Sequence, residues 1–335
     1  KGLEYYLDGV PYDVVEKNLV GPVREICDRG GKSWRSYGAL SCIDVVGGDC
    51  RRFARWLAMP EFMHVGSLIV DDIQDDSMTR RGGPCAHLVY GVPIAINAGT
   101  AAYFQAQKQL LVPGLTDSQL ASLYDLYFQA LRAGHAGQAL DITGLDYLMD
   151  SALATGNAAL AESRSLAIHR LKTAVPAGAL ARMGAVAGEG TKQQVEAVGR
   201  YFEGIGVAFQ IMDDVLNLRG LRTTKADLRE NVVLKVIGED IMAGKVTMPV
   251  VKAISRLPKE EMGNLWDIIK SKPQEPEVVA DCIQRLEDCG AVEACVEHAQ
   301  SLVDDAWSVL DAAVPDSFAK IMLRAFGWFV IERAN

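Results

Sequence analysis

The chain has 335 residues, 49% of them hydrophobic, and 34 Lys and Arg against 43 Asp and Glu give a net charge of −9. That length supports a large core in one or two domains, while the acidity removes the basic face that non-specific nucleic-acid binding needs. No apolar run reaches the roughly 18 residues of a membrane span, and no signal peptide is visible.

Helical periodicity dominates from the N-terminus onward. The chain begins at Lys1 rather than Met, as a trimmed chain or one domain of a longer protein would. A glycine-rich basic block, Gly30-Gly31-Lys32-Ser33-Trp34-Arg35, comes first. An apolar helix over 62–70, with His64 inside it, then runs into Asp71-Asp72-Ile73-Gln74-Asp75-Asp76, and Arg80-Arg81-Gly82-Gly83 follows directly. Tyr103 and Phe104 sit in the next helix. Thr116 with Gln119, and Thr191 with Gln194, have the spacing of capping boxes that open long helices. Lys172-Thr173 lies inside an apolar helical pattern. A second apolar helix carries Phe209-Gln210-Ile211-Met212-Asp213-Asp214-Val215-Leu216-Asn217, and the polar stretch 219–231 after it reads as a loop. Lys235 and Lys245 flank Gly238-Glu239-Asp240. Pro258, Pro273, Pro276 and Pro315 divide the C-terminal third into shorter helices. No alternation bounded by hairpin signals occurs, so strands are not expected. The expectation is an all-α fold, one helical domain over residues 1–335, packed around a central cavity or core.

Seven cysteines (Cys27, Cys42, Cys50, Cys85, Cys282, Cys289 and Cys295) are odd in number and follow no zinc spacing. They read as buried thiols of a reducing, cytoplasmic compartment.

The acidic motifs carry the chemistry. On a helix Asp71 and Asp75 share a face, with Asp72 beside them. Paired carboxylates at the end of an apolar helix repel one another unless a cation neutralises them. An all-oxygen set without Cys or His suits Mg²⁺, which takes one or two carboxylates and completes its shell with substrate phosphate oxygens. A lone motif of this kind is also compatible with a solvated helix end; a second apolar helix ending in Asp213-Asp214 makes that coincidence hard to sustain. With two acidic sites present, the basic residues read as diphosphate sockets, Arg as a fork and Lys as a point charge.

Taken in order, these blocks resemble the trans-isoprenyl diphosphate synthases, the geranylgeranyl and farnesyl diphosphate synthase family. The matching blocks are Gly30 to Arg35, His64 to Arg81, Gly137-Gln138 with Asp141, Lys172-Thr173, Phe209 to Asn217, and Lys235 to Pro249. The resemblance implies an isoprenoid synthase-type helical bundle that condenses isopentenyl diphosphate with an allylic diphosphate. Asp71, Asp72, Asp75 and Asp213 would bind Mg²⁺, three ions per site, bridged to the allylic diphosphate, with Asp214 in or next to that shell. Arg80, Lys172 with Thr173, Gln210, Lys235 and Lys245 would contact the same diphosphate. Lys32, Arg35, His64 and Arg81 would hold isopentenyl diphosphate. The resemblance also implies a homodimer or higher oligomer, and leaves room for a fused terpene cyclase domain upstream. Two departures stand out: Asn217 replaces a third aspartate, and Ser36 replaces a common proline.

Product length should depend on the space beneath the first acidic motif. Gly66 and Ser67, five and four residues before Asp71, are both small. Tyr103 and Phe104 are bulky enough to form a floor or, equally, to be core. An isoprene unit is about as long as a helical turn of about 5.4 Å, so a floor one or two turns deeper suits the twenty-carbon geranylgeranyl diphosphate. Two other activities fit less well. A class I terpene cyclase would carry a glutamate where Leu221 stands and would not need the isopentenyl diphosphate residues. A non-catalytic regulatory subunit would be expected to lose one acidic motif.

Overall fold

A computed structural model describes residues 8–31, 33–220 and 236–332. The chain groups into two compact units, Lys1–Leu40 with Cys50–Tyr124, and Ser41–Asp49 with Asp125–Asn335.

In the first unit, α1 (Tyr12–Val15) passes through a π turn into α2 (Gly21–Asp28). The start of α3 (Trp34–Val45) and a 3₁₀ stretch, Cys50–Leu57, lead into α4 (Ala58–Gln74). After a small hairpin come α5 (Ala86–Tyr90), α6 (Val92–Ala106) and the first turns of α7 (Asp117–Thr143). Val23 and Ile26 of α2, Val65 and Ile69 of α4, and Ala95, Ala98 and Ala102 of α6 form one buried cluster. Ala95, Ala98, Gly99 and Ala102 recur at helical spacing, so α6 offers α4 a stripe almost without side chains. The site helix α4 is therefore fixed by close backbone packing rather than by bulky interdigitation.

The hairpin is the one departure from the all-helical expectation among the described residues. β1 (Thr79–Arg80) pairs antiparallel with β2 (Gly83–Pro84). Both residues of its turn have positive φ, Arg81 at 51° and Gly82 at 74°, the signature of a primed hairpin turn. Two residues per strand are too few to show alternation, which is why periodicity missed it.

The second unit holds the rest of α7, then α8 (Asp146–Thr155), α9 (Ala159–His169), a π turn over Arg170–Ala174, and α10 (Val175–Ala187). The long α11 (Lys192–Arg219) follows. Beyond the undescribed residues come α12 (Glu239–Met242), α13 (Met248–Ala253), α14 (Lys259–Lys270), α15 (Pro276–Asp288), α16 (Ala291–Ala313) and α17 (Phe318–Glu332). From Ala197 onward helix α11 is largely buried, through Val198, Phe202, Ile205, Ile211, Met212 and Val215 among others, while Lys192 and Arg200 in its first half stay exposed. Tyr201 donates its hydroxyl to the Leu323 carbonyl at 2.6 Å and ties α17 to it.

Both capping boxes form. Gln119 N–H donates to Thr116 Oγ1 at 3.2 Å, Gln194 N–H to Thr191 Oγ1 at 3.3 Å, and each glutamine side chain accepts the threonine N–H in return. The loop expected over 219–231 lies, from residue 221, outside the described residues; Arg219 and Gly220 end α11. All seven cysteines are free thiols. No described helix is long and apolar enough to cross a membrane.

Candidate active site

The first acidic motif closes α4. Carboxylates here face the negative end of the helix dipole, which costs each about 0.3–1 kcal/mol, so the placement favours a bound cation. Asp75 is the C-cap, its N–H donating to the Asp71 carbonyl at 2.9 Å. Asp71 is half-buried and Asp75 exposed, one turn apart on one face.

Asp72 is different. It is fully buried, and its Oδ1 accepts both Nε (2.8 Å) and Nη2 of Arg80. A carboxylate enclosed this way orients Arg80 through Oδ1, while its Oδ2 is buried without a hydrogen-bond partner among the described residues, so anchoring that arginine stands beside the expected metal role with Asp71 and Asp75.

Arg81, in the hairpin turn, donates to the Ile26 carbonyl at 3.1 Å and approaches Glu61 at 3.4 Å. Its guanidinium occupies the space a Cβ on Gly31 would need, 2.8 Å from Nη2. The glycine block and the arginine pair are thus two halves of one packing arrangement. Arg35 stacks over Trp34, 4.5 Å from the ring centroid. His64 is held well below its ordinary pKa by burial and by the charges of Arg35, Arg81 and Arg80. A neutral imidazole among three guanidinium ions can hydrogen-bond without adding to their positive charge. Ser36 replaces a proline without disrupting the turn, donating to the Leu57 carbonyl at 2.8 Å. Lys32 lies outside the described residues.

The proposed chain-length residues separate. Gly66 is buried against α6, while Ser67 is exposed and donates to the His64 carbonyl at 2.8 Å. Tyr103 is buried, its ring 3.2 Å from the Cβ position of Gly66, whereas Phe104 is 67% exposed. Neighbours on a helix point about 100° apart, so the pair cannot form one floor, and only Tyr103 faces inward. Burial, with the Asp71 charge adding to it, pushes the Tyr103 hydroxyl up to about 12.

In the second unit the π turn between α9 and α10 presents Lys172 and Thr173, and such turns recur at functional sites. A Cβ on Gly137 of α7 would lie 2.2 Å from the Lys172 nitrogen, and one on Gly206 of α11 2.5 Å from the Ala174 Cα. The two glycines leave room for the widened turn. Lys172 Nζ reaches Asp141 Oδ2 at 2.5 Å, and Thr173 donates to Gln210 Oε1 at 3.0 Å. Asp213 is half-buried on α11. Asp214 Oδ2 accepts the Met248 N–H at 2.9 Å and lies 3.7 Å from His169 Nε2. Asp214 therefore pins α13. Asn217, at the third aspartate position, is a clamp: its carbonyl accepts the Gly238 N–H at 2.7 Å and its Oδ1 the Asp240 N–H at 3.1 Å. Lys245 is exposed beyond α12; Lys235 lies outside the described residues.

His169 was missed by sequence reasoning. It is buried, and desolvation lowers its pKa to about 4, Asp141 and Asp213 pulling upward and Lys172 and His298 downward. Its position three residues before Lys172 was the available signal; a lone histidine in an apolar helix reads as core.

Among the described residues no three His, Cys, Asp or Glu side chains converge on a preformed cation position. The all-oxygen pair of half-buried Asp71 and exposed Asp75 fits a hard cation that keeps water and phosphate in its shell.

A polyprenyl synthetase family model matches residues 16–286. The chain belongs to the polyprenyl synthetase family. Among its relatives in that family is a short chain isoprenyl diphosphate synthase of Methanothermobacter thermautotrophicus, 31% identical over 323 residues, 96% of this chain and 93% of that protein. Two solved structures are also similar. One is the geranylgeranyl pyrophosphate synthetase of Pyrococcus horikoshii, with a TM-score of 0.80, 25% identity, and coverage of 98% of this chain and 94% of that one. The other, from Corynebacterium glutamicum, is a geranylgeranyl pyrophosphate synthase complexed with isoprenyl diphosphate and magnesium; its TM-score is 0.80, identity 27%, coverage 99% and 94%.

Proposed function

We propose that this prenyltransferase condenses isopentenyl diphosphate head to tail with an allylic diphosphate and gives mainly geranylgeranyl diphosphate and inorganic diphosphate. The observation that carries this reading is the placement of carboxylates on two apolar helices, each with cations of its own unit beside them. Asp71 and Asp75 close α4, where the Asp71 charge acts on Arg80, and Asp213 of α11 and Lys172 both act on the buried His169.

In the reaction the C1–O bond of the allylic substrate breaks and its electron pair leaves with diphosphate. The isopentenyl double bond attacks C1, and the released diphosphate takes a proton from the carbon next to the new cation, whose C–H electrons restore an alkene. Arg80, fixed by Asp72, and Lys172, held by the π turn, oppose negative charge as it grows on the leaving group. Gln210, with Thr173, supplies polar contacts, and Lys245 adds a cation. Arg35, Arg81 and His64 orient isopentenyl diphosphate. Mg²⁺, on which the family depends, would be held by Asp71, Asp72, Asp75 and Asp213, three ions in all by resemblance, and would supply Lewis-acid stabilisation of the departing diphosphate. Tyr103, buried behind Gly66, limits the depth available to the tail. A homo-oligomer and a cytoplasmic location belong to the same reading by family resemblance alone.

The test is an assay of the purified chain with labelled isopentenyl diphosphate, Mg²⁺ and dimethylallyl, geranyl or farnesyl diphosphate. Chromatography of the dephosphorylated products reports activity, primer and length together. Turnover of none of the three primers would overturn the reading.

A further inference from the structure

Arg81 sits at a positive φ of 51°, which is unfavourable for a side chain other than glycine. The hairpin that carries it has two residues per strand, too few to be stable by their own pairing. Something else must hold the turn.

Arg29 does so. It follows α2, immediately before Gly30, outside every motif that carries the family resemblance. Its Nη1 donates to the Arg80 carbonyl at 2.9 Å and to the Pro84 carbonyl at 2.8 Å. One guanidinium nitrogen thus joins the strand entering the turn to the strand leaving it. Nη2 is fixed by Glu25 at 2.5 Å, and the side chain is only 16% exposed. A Cβ on Gly83 would lie 2.8 Å from the Arg29 Cζ, so the glycine after the turn is the space this guanidinium occupies. The geometry has no counterpart for lysine, whose single ammonium cannot span two carbonyls and a carboxylate from one planar fork.

We propose that Arg29 is a positioning residue for the isopentenyl diphosphate grip, latching the base of the hairpin so that Arg81 stays beside His64. The inference rests on the reading of Arg81 as an isopentenyl diphosphate ligand. It also predicts an asymmetry. Arg80 has a second anchor in buried Asp72, at 2.8 Å from Nε. Among the described residues, Arg81 has the longer contacts to Ile26 and Glu61, at 3.1 and 3.4 Å. Releasing the latch therefore frees Arg81 more than Arg80.

The experiment compares wild type, Arg29→Met and Arg29→Lys as the full chain. Isopentenyl diphosphate binding is measured by calorimetry without an allylic partner, KM for each substrate and kcat by steady-state assay, and stability by thermal melt. Arg29→Met should weaken isopentenyl diphosphate binding and raise its KM about tenfold, with the allylic KM and kcat within about threefold of wild type. Arg29→Lys should recover the melt more than the affinity, and it carries the test if the Met variant does not fold. Equal losses toward both substrates, or isopentenyl diphosphate binding within about twofold of wild type, would overturn the role. A wild-type chain that binds no isopentenyl diphosphate would instead overturn the assignment of Arg81, and this role with it.

Discussion

Gly66 and Gly99 press the backbones of α4 and α6 together: a Cβ on Gly66 would lie 2.5 Å from the Gly99 carbonyl oxygen, and one on Gly99 3.0 Å from that of Gly66. Two residues that look alike in the sequence, Gly66 and Ser67, therefore do different things. The first is small so that two helices can touch, and the second is small on an open face.

Gly66→Ala should destabilise the fold by about 1–3 kcal/mol, because backbone rather than a movable side chain fills the site. Ser67→Phe should leave the melt near wild type and shorten products toward fifteen carbons. Tyr103→Ala should lengthen them, while Phe104→Ala, at an exposed position, should leave length unchanged. A thermal melt beside product chromatography separates the cases; longer products from Phe104→Ala would contradict the inward and outward assignment.

The two adjacent aspartates should fail differently. Asp71→Ala should lower turnover by about 10²–10³-fold or more at saturating Mg²⁺ while the fold survives. Asp72→Ala should also cost stability, about 3 kcal/mol, the lower end for breaking a buried pair from one side because Arg80 keeps some solvent. It should raise the allylic KM as Arg80 loses its anchor. Equal melting temperatures for the two variants would show that Asp72 is not the structural partner described here.

Gly137→Ala places a methyl group 2.2 Å from the Lys172 nitrogen. The π turn must shift, and Lys172 with it. We expect kcat to fall about tenfold or more, because the displaced charge opposes charge developing as the bond breaks, with little change in the KM for isopentenyl diphosphate. Lys172→Ala should show the same pattern. An effect confined to isopentenyl diphosphate would mean that the turn serves the other substrate.

His169 should make the fold acid-sensitive. Its pKa is about 4 in the fold against about 6.5 unfolded, so the unfolded chain binds the proton more readily. Stability from this residue is fully present above pH 6.5 and is lost as pH falls toward 4, up to about 3 kcal/mol. Melts of wild type and His169→Gln between pH 7.5 and 5 check this: the variant should show the shallower decline. Parallel curves would assign the acid sensitivity to carboxylates alone.

The helical fold, both capping boxes and the order of acidic and basic blocks were legible in the sequence because each is written in short spacings. A threonine three residues before a glutamine, or an apolar repeat ending in paired aspartates, needs no distant partner to be recognised. What each member of a block does was not legible. Asp71 and Asp72 are neighbours, yet only packing assigns one to the open face and the other to Arg80, and Tyr103 and Phe104 part in the same way. Arg29 acts on carbonyls 51 and 55 residues away, and Lys172 meets an aspartate 31 residues before it. Local periodicity determined that helices form and which chemical groups they carry; tertiary packing alone decided which groups face a ligand and which hold another residue in place, because burial and hydrogen-bond partners belong to the folded chain and not to any short stretch of it.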